Sequence, residues 1–95
     1  MTRDEIFGAI DANRARLSAL GVVELALFGS HVRGEAGPES DVDFLVEFSE
    51  KSFDRYMDLK EFLQELLGRK VDLVIKSAIK TRIRDRILSE AVRAA

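Results

Sequence analysis

The sequence has little of several residue types that define common classes of small proteins. Its 95 residues include no cysteine, no tryptophan, one proline, one tyrosine and one histidine. Without cysteine the chain can form neither a disulfide framework nor a thiolate zinc site. A single histidine is too few for a histidine-rich metal cage. The net charge of −2 provides no electrostatic basis for direct nucleic-acid binding.

Long apolar runs are also missing. No stretch approaches the roughly 18 apolar residues that a membrane span requires. The chain begins with MTRDE, which lacks the apolar core of a signal peptide. Hydrophobic residues make up 46% and charged residues 34%, as in ordinary folded soluble proteins. We therefore expect one domain over residues 1–95, cytoplasmic and without membrane contact.

Hydrophobic periodicity and breaker residues predict the element order α-β-β-α-β-α. Thr2 and Glu5 form a capping-box pattern, and Ser52 precedes a second helical pattern. The expected fold is α/β, a small three-stranded mixed sheet backed by helices. The predicted helices span about 3–19, 53–67 and 78–92, the strands 22–28, 41–48 and 70–75, and a loop containing Pro38 spans 30–40. Residues predicted to face the core are Val23, Leu25 and Leu27 on the first strand and Ile79, Ile83 and Ile87 on the last helix.

Three aspartates interrupt the apolar strands. Because side chains alternate across a strand, Asp41 and Asp43 should lie opposite the apolar face of the second strand. Asp72 should lie on the same side of the third strand. Three clustered carboxylates repel one another unless a cation joins them, and such oxygen ligands suit Mg²⁺ or Mn²⁺. An isolated Asp-x-Asp often marks only a solvated strand end, so this pattern alone does not establish a metal site.

The Gly29-Ser30 pair supplies a second element. Gly29 ends the first strand and permits close backbone approach, and Ser30 offers a hydroxyl donor beside it. Such a turn can hold a phosphate, although a lone Gly-Ser pair is usually a plain turn. Together with the carboxylates, it forms a constellation of a phosphate-holding turn, ten residues, two metal-binding carboxylates and a third on a neighbouring strand.

The stretch GSHVRGEAGPESDVDFLVEF resembles the minimal nucleotidyltransferases (MNT domains), small members of the superfamily related to DNA polymerase β. Their pattern of Gly-Ser, about ten residues, Asp-x-Asp and a later Asp reads here as Gly29-Ser30, Asp41-Val42-Asp43 and Asp72. The resemblance spans nearly the whole chain and implies the minimal nucleotidyltransferase fold.

The resemblance also implies a role for each matching residue. Gly29 and Ser30 would hold the nucleotide triphosphate, and Arg33 would lie near the phosphates or brace the turn. Asp41 and Asp43 would bind two Mg²⁺ ions, with Mn²⁺ as a substitute. Asp72 would complete the metal site as a third carboxylate and candidate general base. ATP would be the substrate, in a two-metal phosphoryl transfer.

Members of this family commonly act as antitoxins in HEPN/MNT toxin–antitoxin pairs. The implied function is transfer of AMP from ATP to a tyrosine of a helical HEPN ribonuclease toxin. Two alternatives remain open: neutralisation of the toxin by binding alone, and nucleotide transfer to a small molecule.

His31 and the basic residues of the last helix are further polar features of the sequence. His31 lies beside the turn, and we expect a loop residue that at most touches the nucleotide. The basic residues of the last helix form a solvated face that can also serve as a docking surface. They are Lys76, Lys80, Arg82, Arg84 and Arg86.

Overall fold

The computed structural model describes residues 1–37 and 40–95. Pro38 and Glu39, which belong to the predicted loop, lie outside the described residues. The helices are α1 (Arg3–Ala12), α2 (Arg14–Ala19), α3 (Ser30–Arg33), α4 (Phe53–Leu67) and α5 (Thr81–Glu90), with a 3₁₀ turn at Lys76–Ala78. The strands are β1 (Val22–Phe28), β2 (Val42–Phe48), β3 (Val71–Ile75) and β4 (Val92–Arg93).

The strands form one mixed sheet in the order β3-β2-β1-β4. β2 and β3 run parallel, as expected for strands joined by a crossover helix, and the other neighbouring pairs are antiparallel. The prediction of three strands was therefore one strand short. β4 has only two residues, which pair with Ala26 and Leu27 of β1. A strand this short has no alternating pattern that a sequence could show.

One face of the sheet carries the main core. β2 contributes Val42, Phe44, Val46 and Phe48, as its alternation predicts, and β3 contributes Val71 and Leu73. Helices α1, α2 and α4 cover this face with buried isoleucines and leucines. In the described part of the chain, no helix has both the length and the apolar character needed to cross a membrane.

The predicted first helix is in fact two helices that meet at Asn13. Its backbone leaves the helical conformation at φ −120° and ψ 22°. The Asn13 amide nitrogen donates a hydrogen bond of 2.8 Å to the Ala9 carbonyl. A side chain that bonds to the preceding turn competes with the backbone ladder, which explains the break.

The prediction of which β1 residues face the core was partly wrong. Leu25 and Leu27 are buried, but Val23 is 51% exposed. The pairing with β2 shifts between Val22 and Glu24, which makes Val23 the extra residue of a bulge. An extra residue reverses the alternation on one side of the bulge, so Val22 packs against the core in place of Val23.

The last helix is shorter than the predicted span of 78–92, and its isoleucines do not face the main core as predicted. Ile79 precedes α5, Ile83 is 42% exposed and Ile87 is half-buried, so these residues do not enter the main core. Ile83 and Ile87 line a surface cavity together with Phe28, whose side chain lies on the sheet face opposite that core. α5 therefore lies on the side of the sheet opposite the main core, where Ala26 and Leu45 are buried.

Candidate nucleotide and metal site

Asp43 and Asp72 are register partners in the parallel β2–β3 pair. Asp43 also pairs with Phe28 on its other side. Both carboxylates project from the face opposite the main core, because their neighbours Phe44 and Leu73 project into it. Asp41 lies two residues before Asp43 and is exposed, as is Asp72. The structure thus places all three predicted carboxylates at one end of β2 and β3.

The electrostatics of Asp43 show how close these acidic groups are. Partial burial, then the charges of Asp72 and Asp41, raise the pKa of Asp43 to about 6. The nearby Arg33 opposes this rise, and Glu90 adds to it. The site consequently holds an excess of negative charge, which a cation would relieve.

Asp41, Asp43 and Asp72 are the donors available to the divalent cation that the sequence implies. All three side chains offer carboxylate oxygens, the ligands that Mg²⁺ and Mn²⁺ prefer. Within residues 1–37 and 40–95, no three His, Cys, Asp or Glu side chains converge closely enough to hold a metal ion by themselves. Mg²⁺ ordinarily takes only one or two protein carboxylates and completes its coordination with water and substrate phosphates. The residues present therefore fit the ion.

Gly29 forms the wall of this site. Its φ of +80° and ψ of −154° belong to a region that is essentially restricted to glycine. A β-carbon at this position would lie 2.1 Å from Oδ2 of Asp43. Only glycine lets the turn approach the carboxylate this closely, so the turn and the acidic residues belong to one site.

Ser30 and Arg33 are the ends of α3, which occupies part of the predicted loop. Four residues of helix at Ser30–Arg33 correct the expectation of a loop over 30–40. Ser30 is half-buried directly after Gly29. Arg33 forms ion pairs with Glu35 and with Glu90. The hydrogen bond to Glu35 and the charge of Glu90 raise the pKa of Arg33.

Glu90 belongs to this site and was missed from the sequence. Its Oε1 accepts a hydrogen bond of 3.1 Å from the Gly29 N–H. The same oxygen accepts a hydrogen bond from Nη1 of Arg33. The residue lies 61 positions from Gly29 in the chain, so no local pattern could have associated the two.

His31 is a buried residue of α3 rather than a loop residue. It is only 4% exposed, and among the described residues its Nδ1 is the buried side-chain atom without a hydrogen-bond partner. Burial lowers the pKa of His31, while a hydrogen bond with the Asp41 backbone opposes that shift. His31 is thus a buried residue of α3 that lies against the start of β2, which corrects the expectation of a loop residue.

Comparison with known proteins identifies the family. The family model of the nucleotidyltransferase domain matches residues 10–94. The chain belongs to this family. This membership confirms the expected nucleotidyltransferase class of enzyme, and the match contains Gly29, Ser30 and all three aspartates.

Individual members of the family are similar to this chain over nearly its full length. Protein adenylyltransferase MntA from Thermococcus cleftensis is 45% identical over 94 residues, which cover 97% of this chain and 95% of that protein. A solved minimal nucleotidyltransferase structure aligns with a TM-score of 0.84 and 34% identity, covering 97% and 95% of the two chains.

A crystal structure of a toxin–antitoxin with AMP-PNP also aligns. Its TM-score is 0.75 at 20% identity, and the alignment covers 90% of this chain and 72% of that one. At this identity the likeness concerns the fold alone. The nucleotidyltransferase family and its minimal fold are thereby established, with a sheet of four strands in place of the predicted three.

Proposed function

We propose that this chain is a protein adenylyltransferase of a toxin–antitoxin pair. It transfers AMP from ATP to a tyrosine of a helical HEPN-type toxin. The observation that carries the proposal is the contact between Gly29 and Asp43, which joins a phosphate-binding turn to an acidic cluster. The 45% identity to a protein adenylyltransferase over almost the whole chain supports the choice of acceptor class.

The nucleotide-binding part of the proposed site consists of Gly29, Ser30 and Arg33. Gly29 offers its backbone N–H, Ser30 its hydroxyl and Arg33 a guanidinium at the same end of β1. These are the donors that bind phosphate oxygens, and the guanidinium also neutralises part of their charge. We assign ATP to this side of the site.

Asp41, Asp43 and Asp72 would hold Mg²⁺, with Mn²⁺ as a substitute. When bound, the ions supply charge neutralisation at the attacked phosphate and at the leaving pyrophosphate. The carboxylates themselves fix the acidic end of the site at a defined distance from the turn, because β2–β3 pairing and the Gly29 contact both restrain Asp43. Such fixed positioning is the main contribution that a protein makes to phosphoryl transfer.

The proposed reaction forms one bond and breaks another. The tyrosine oxygen of the toxin bonds to the α-phosphorus of ATP, and the bond from that phosphorus to the pyrophosphate oxygen breaks. The phenolic proton passes to a base, for which Asp72 is the candidate because it is exposed beside Asp43. This ATP-dependent reaction on an intracellular toxin belongs in the cytoplasm, and residues 1–95 act in it as one domain.

Mass spectrometry of the toxin tests the proposal. The purified chain is incubated with a helical HEPN-type toxin, ATP and Mg²⁺, and the toxin is examined for tyrosine-linked AMP. Asp41→Asn and Asp72→Asn are expected to abolish the adduct. Asp58→Asn, which removes an exposed carboxylate on α4, serves as the control of equal charge and retains activity.

Two results would contradict this function. A toxin that is neutralised without any adduct would mean that the chain acts by binding alone. Efficient nucleotide transfer to a small alcohol by the isolated chain would move the activity to the small-molecule class.

A further inference from the structure

One carboxylate oxygen stands where the proposed site should receive a phosphate. Oε1 of Glu90 accepts hydrogen bonds from both the Gly29 N–H and the Arg33 guanidinium. The Glu90 side chain is 18% exposed and the Arg33 side chain is 42% exposed, so the carboxylate is the better shielded of the two partners. A backbone N–H and a guanidinium that converge on a single anionic oxygen form a small anion-binding cradle.

Glu90 also adds to the negative charge around Asp43. Its charge contributes to the raised pKa of that carboxyl group. A triphosphate that entered the cradle beside Glu90 would meet a further negative charge and would find the single N–H of Gly29 already bonded to Glu90. That N–H cannot donate to the nucleotide and to the Glu90 carboxylate at the same time, and the remaining N–H groups of Arg33 would have to hold two anions side by side.

The helix that carries Glu90 contributes no fully buried residue. All ten residues of α5 are exposed or half-buried, and Ile83 and Ile87 face a surface cavity of about 240 Å³ beside Phe28 and Gly29. Its C-terminal end is attached through the two-residue strand β4 to β1. An element with few buried contacts opens at low free-energy cost, so Glu90 can leave the cradle without loss of the main core.

We propose that Glu90 is an internal competitor of the nucleotide: its carboxylate holds Gly29 and Arg33 in place in the free protein and is displaced when a triphosphate binds. Glu90 is thereby a positioning residue that sets nucleotide affinity. This inference rests on the proposed function, because it assumes that the cradle receives the phosphates of ATP. It also makes the position of α5 dependent on nucleotide binding, through a reciprocal coupling.

The affinity for AMP-PNP with Mg²⁺, measured by calorimetry, tests the inference. Glu90→Gln keeps the shape but removes the charge, and Glu90→Ala removes the competing oxygen as well. We expect binding to tighten about three- to tenfold in Glu90→Gln and further in Glu90→Ala, as expected for loss of a charged competitor. Asp85→Asn changes the net charge by the same amount on the same helix and should leave the affinity unchanged.

Inorganic tripolyphosphate, which lacks the adenosine group, shows whether Glu90 competes with the phosphates themselves. It should compete with AMP-PNP, and its affinity should rise in the Glu90 variants by the same factor. Hydrogen exchange on the unaltered chain gives a second measurement that needs no variant. AMP-PNP should increase amide exchange in the C-terminal half of α5, which loses its attachment to the turn.

The results separate failure of this inference from failure of the proposed function. If the unaltered chain binds AMP-PNP but Glu90→Gln binds it equally or less tightly, Glu90 supports nucleotide binding and is not a competitor. Unchanged or slower exchange in α5 on nucleotide binding would overturn the inference in the same way. If neither the unaltered chain nor Asp85→Asn binds nucleotide, the proposed function fails, and the inference fails with it.

Discussion

The Asp43 side chain lies so close to residue 29 that only glycine fits at that position. A β-carbon at residue 29 would lie 2.1 Å from Asp43 Oδ2, well inside van der Waals contact. The contact connects the end of β1 to the acidic end of β2. It makes the phosphate-binding turn and the carboxylates a single unit, and it provides a direct test of that unit.

Gly29→Ala should therefore disrupt both stability and nucleotide binding. Gly34→Ala is the control, because Gly34 also has a positive φ of +74° but has open space around it. The Gly34 change should cost about 1–2 kcal/mol of unfolding free energy, the usual cost of a left-handed conformation. Gly29→Ala should cost more and should abolish AMP-PNP binding. Urea denaturation and calorimetry would measure both effects, and equal behaviour of the two variants would show that the Asp43 contact has no importance.

Asp43→Asn should stabilise the free protein in a pH-dependent manner. The pKa of Asp43 is raised to about 6 from its ordinary 3.8, so its ionised form is disfavoured in the folded state. This penalty is complete above pH 6 and absent below about pH 3.8, because the unfolded state then binds the proton as well. The variant should gain on the order of 1–3 kcal/mol at pH 7.5.

Urea denaturation at several pH values would follow this gain. The gain in unfolding free energy should shrink as the pH falls from 6 to 4. Asp43→Asn should lack transfer activity at every pH. A gain that does not vary with pH would mean that the cost of ionising the partly buried Asp43 is not its cause. A loss of stability would mean that Asp43 has a structural role.

Ser30→Ala and His31→Ala should affect different properties. The Ser30 hydroxyl would donate to a charged phosphate, so its removal should weaken nucleotide binding by about 1.5–3 kcal/mol with little effect on folding. His31 is 4% exposed, so its truncation should instead lower the unfolding free energy by about 1–3 kcal/mol. Thermal denaturation and AMP-PNP titration of both variants would show the contrast. If His31→Ala folds stably but binds nucleotide more weakly than Ser30→Ala, the assigned roles of the two residues are reversed.

Charge reversal on α5 should slow transfer to the toxin more than it weakens nucleotide binding. Arg84 is exposed on this helix, beside Glu47 and Lys51. Exposed charges act mainly on association, so the effect of Arg84→Glu should be larger at low salt. Arg16→Glu reverses a charge on α2, which packs on the other face of the sheet, and should leave the transfer rate unchanged. Equal effects of the two variants would show that α5 is not the docking surface.

The sequence was informative wherever the pattern was local. Alternation on β2 and β3 predicted which side chains enter the core and which side carries Asp43 and Asp72. Gly29 and Ser30 were found through their spacing to the aspartates. The capping box of Thr2 and Glu5 is formed as the sequence indicated.

The errors have physical causes that local patterns do not contain. The bulge at Val23 depends on pairing with β2, and the break at Asn13 depends on a side-chain bond to Ala9. Glu90 reaches the site only because β4 attaches the end of α5 to β1. The stripe of isoleucines on α5 resembled a core-facing pattern, yet it covers the second face of the sheet only in part.

The crossover helix α4 helps to set the parallel register of β2 and β3, and this register places Asp72 beside Asp43. Side chains of α4 hold the backbone of β3: Gln64 accepts from the Val71 N–H at 3.1 Å, and Tyr56 donates to the Leu73 carbonyl at 2.7 Å. A shift of β3 by one residue would turn Asp72 into the core and an apolar neighbour out of it. These two side chains of α4 therefore help to determine which residue of β3 stands beside Asp43 at the acidic end of the sheet.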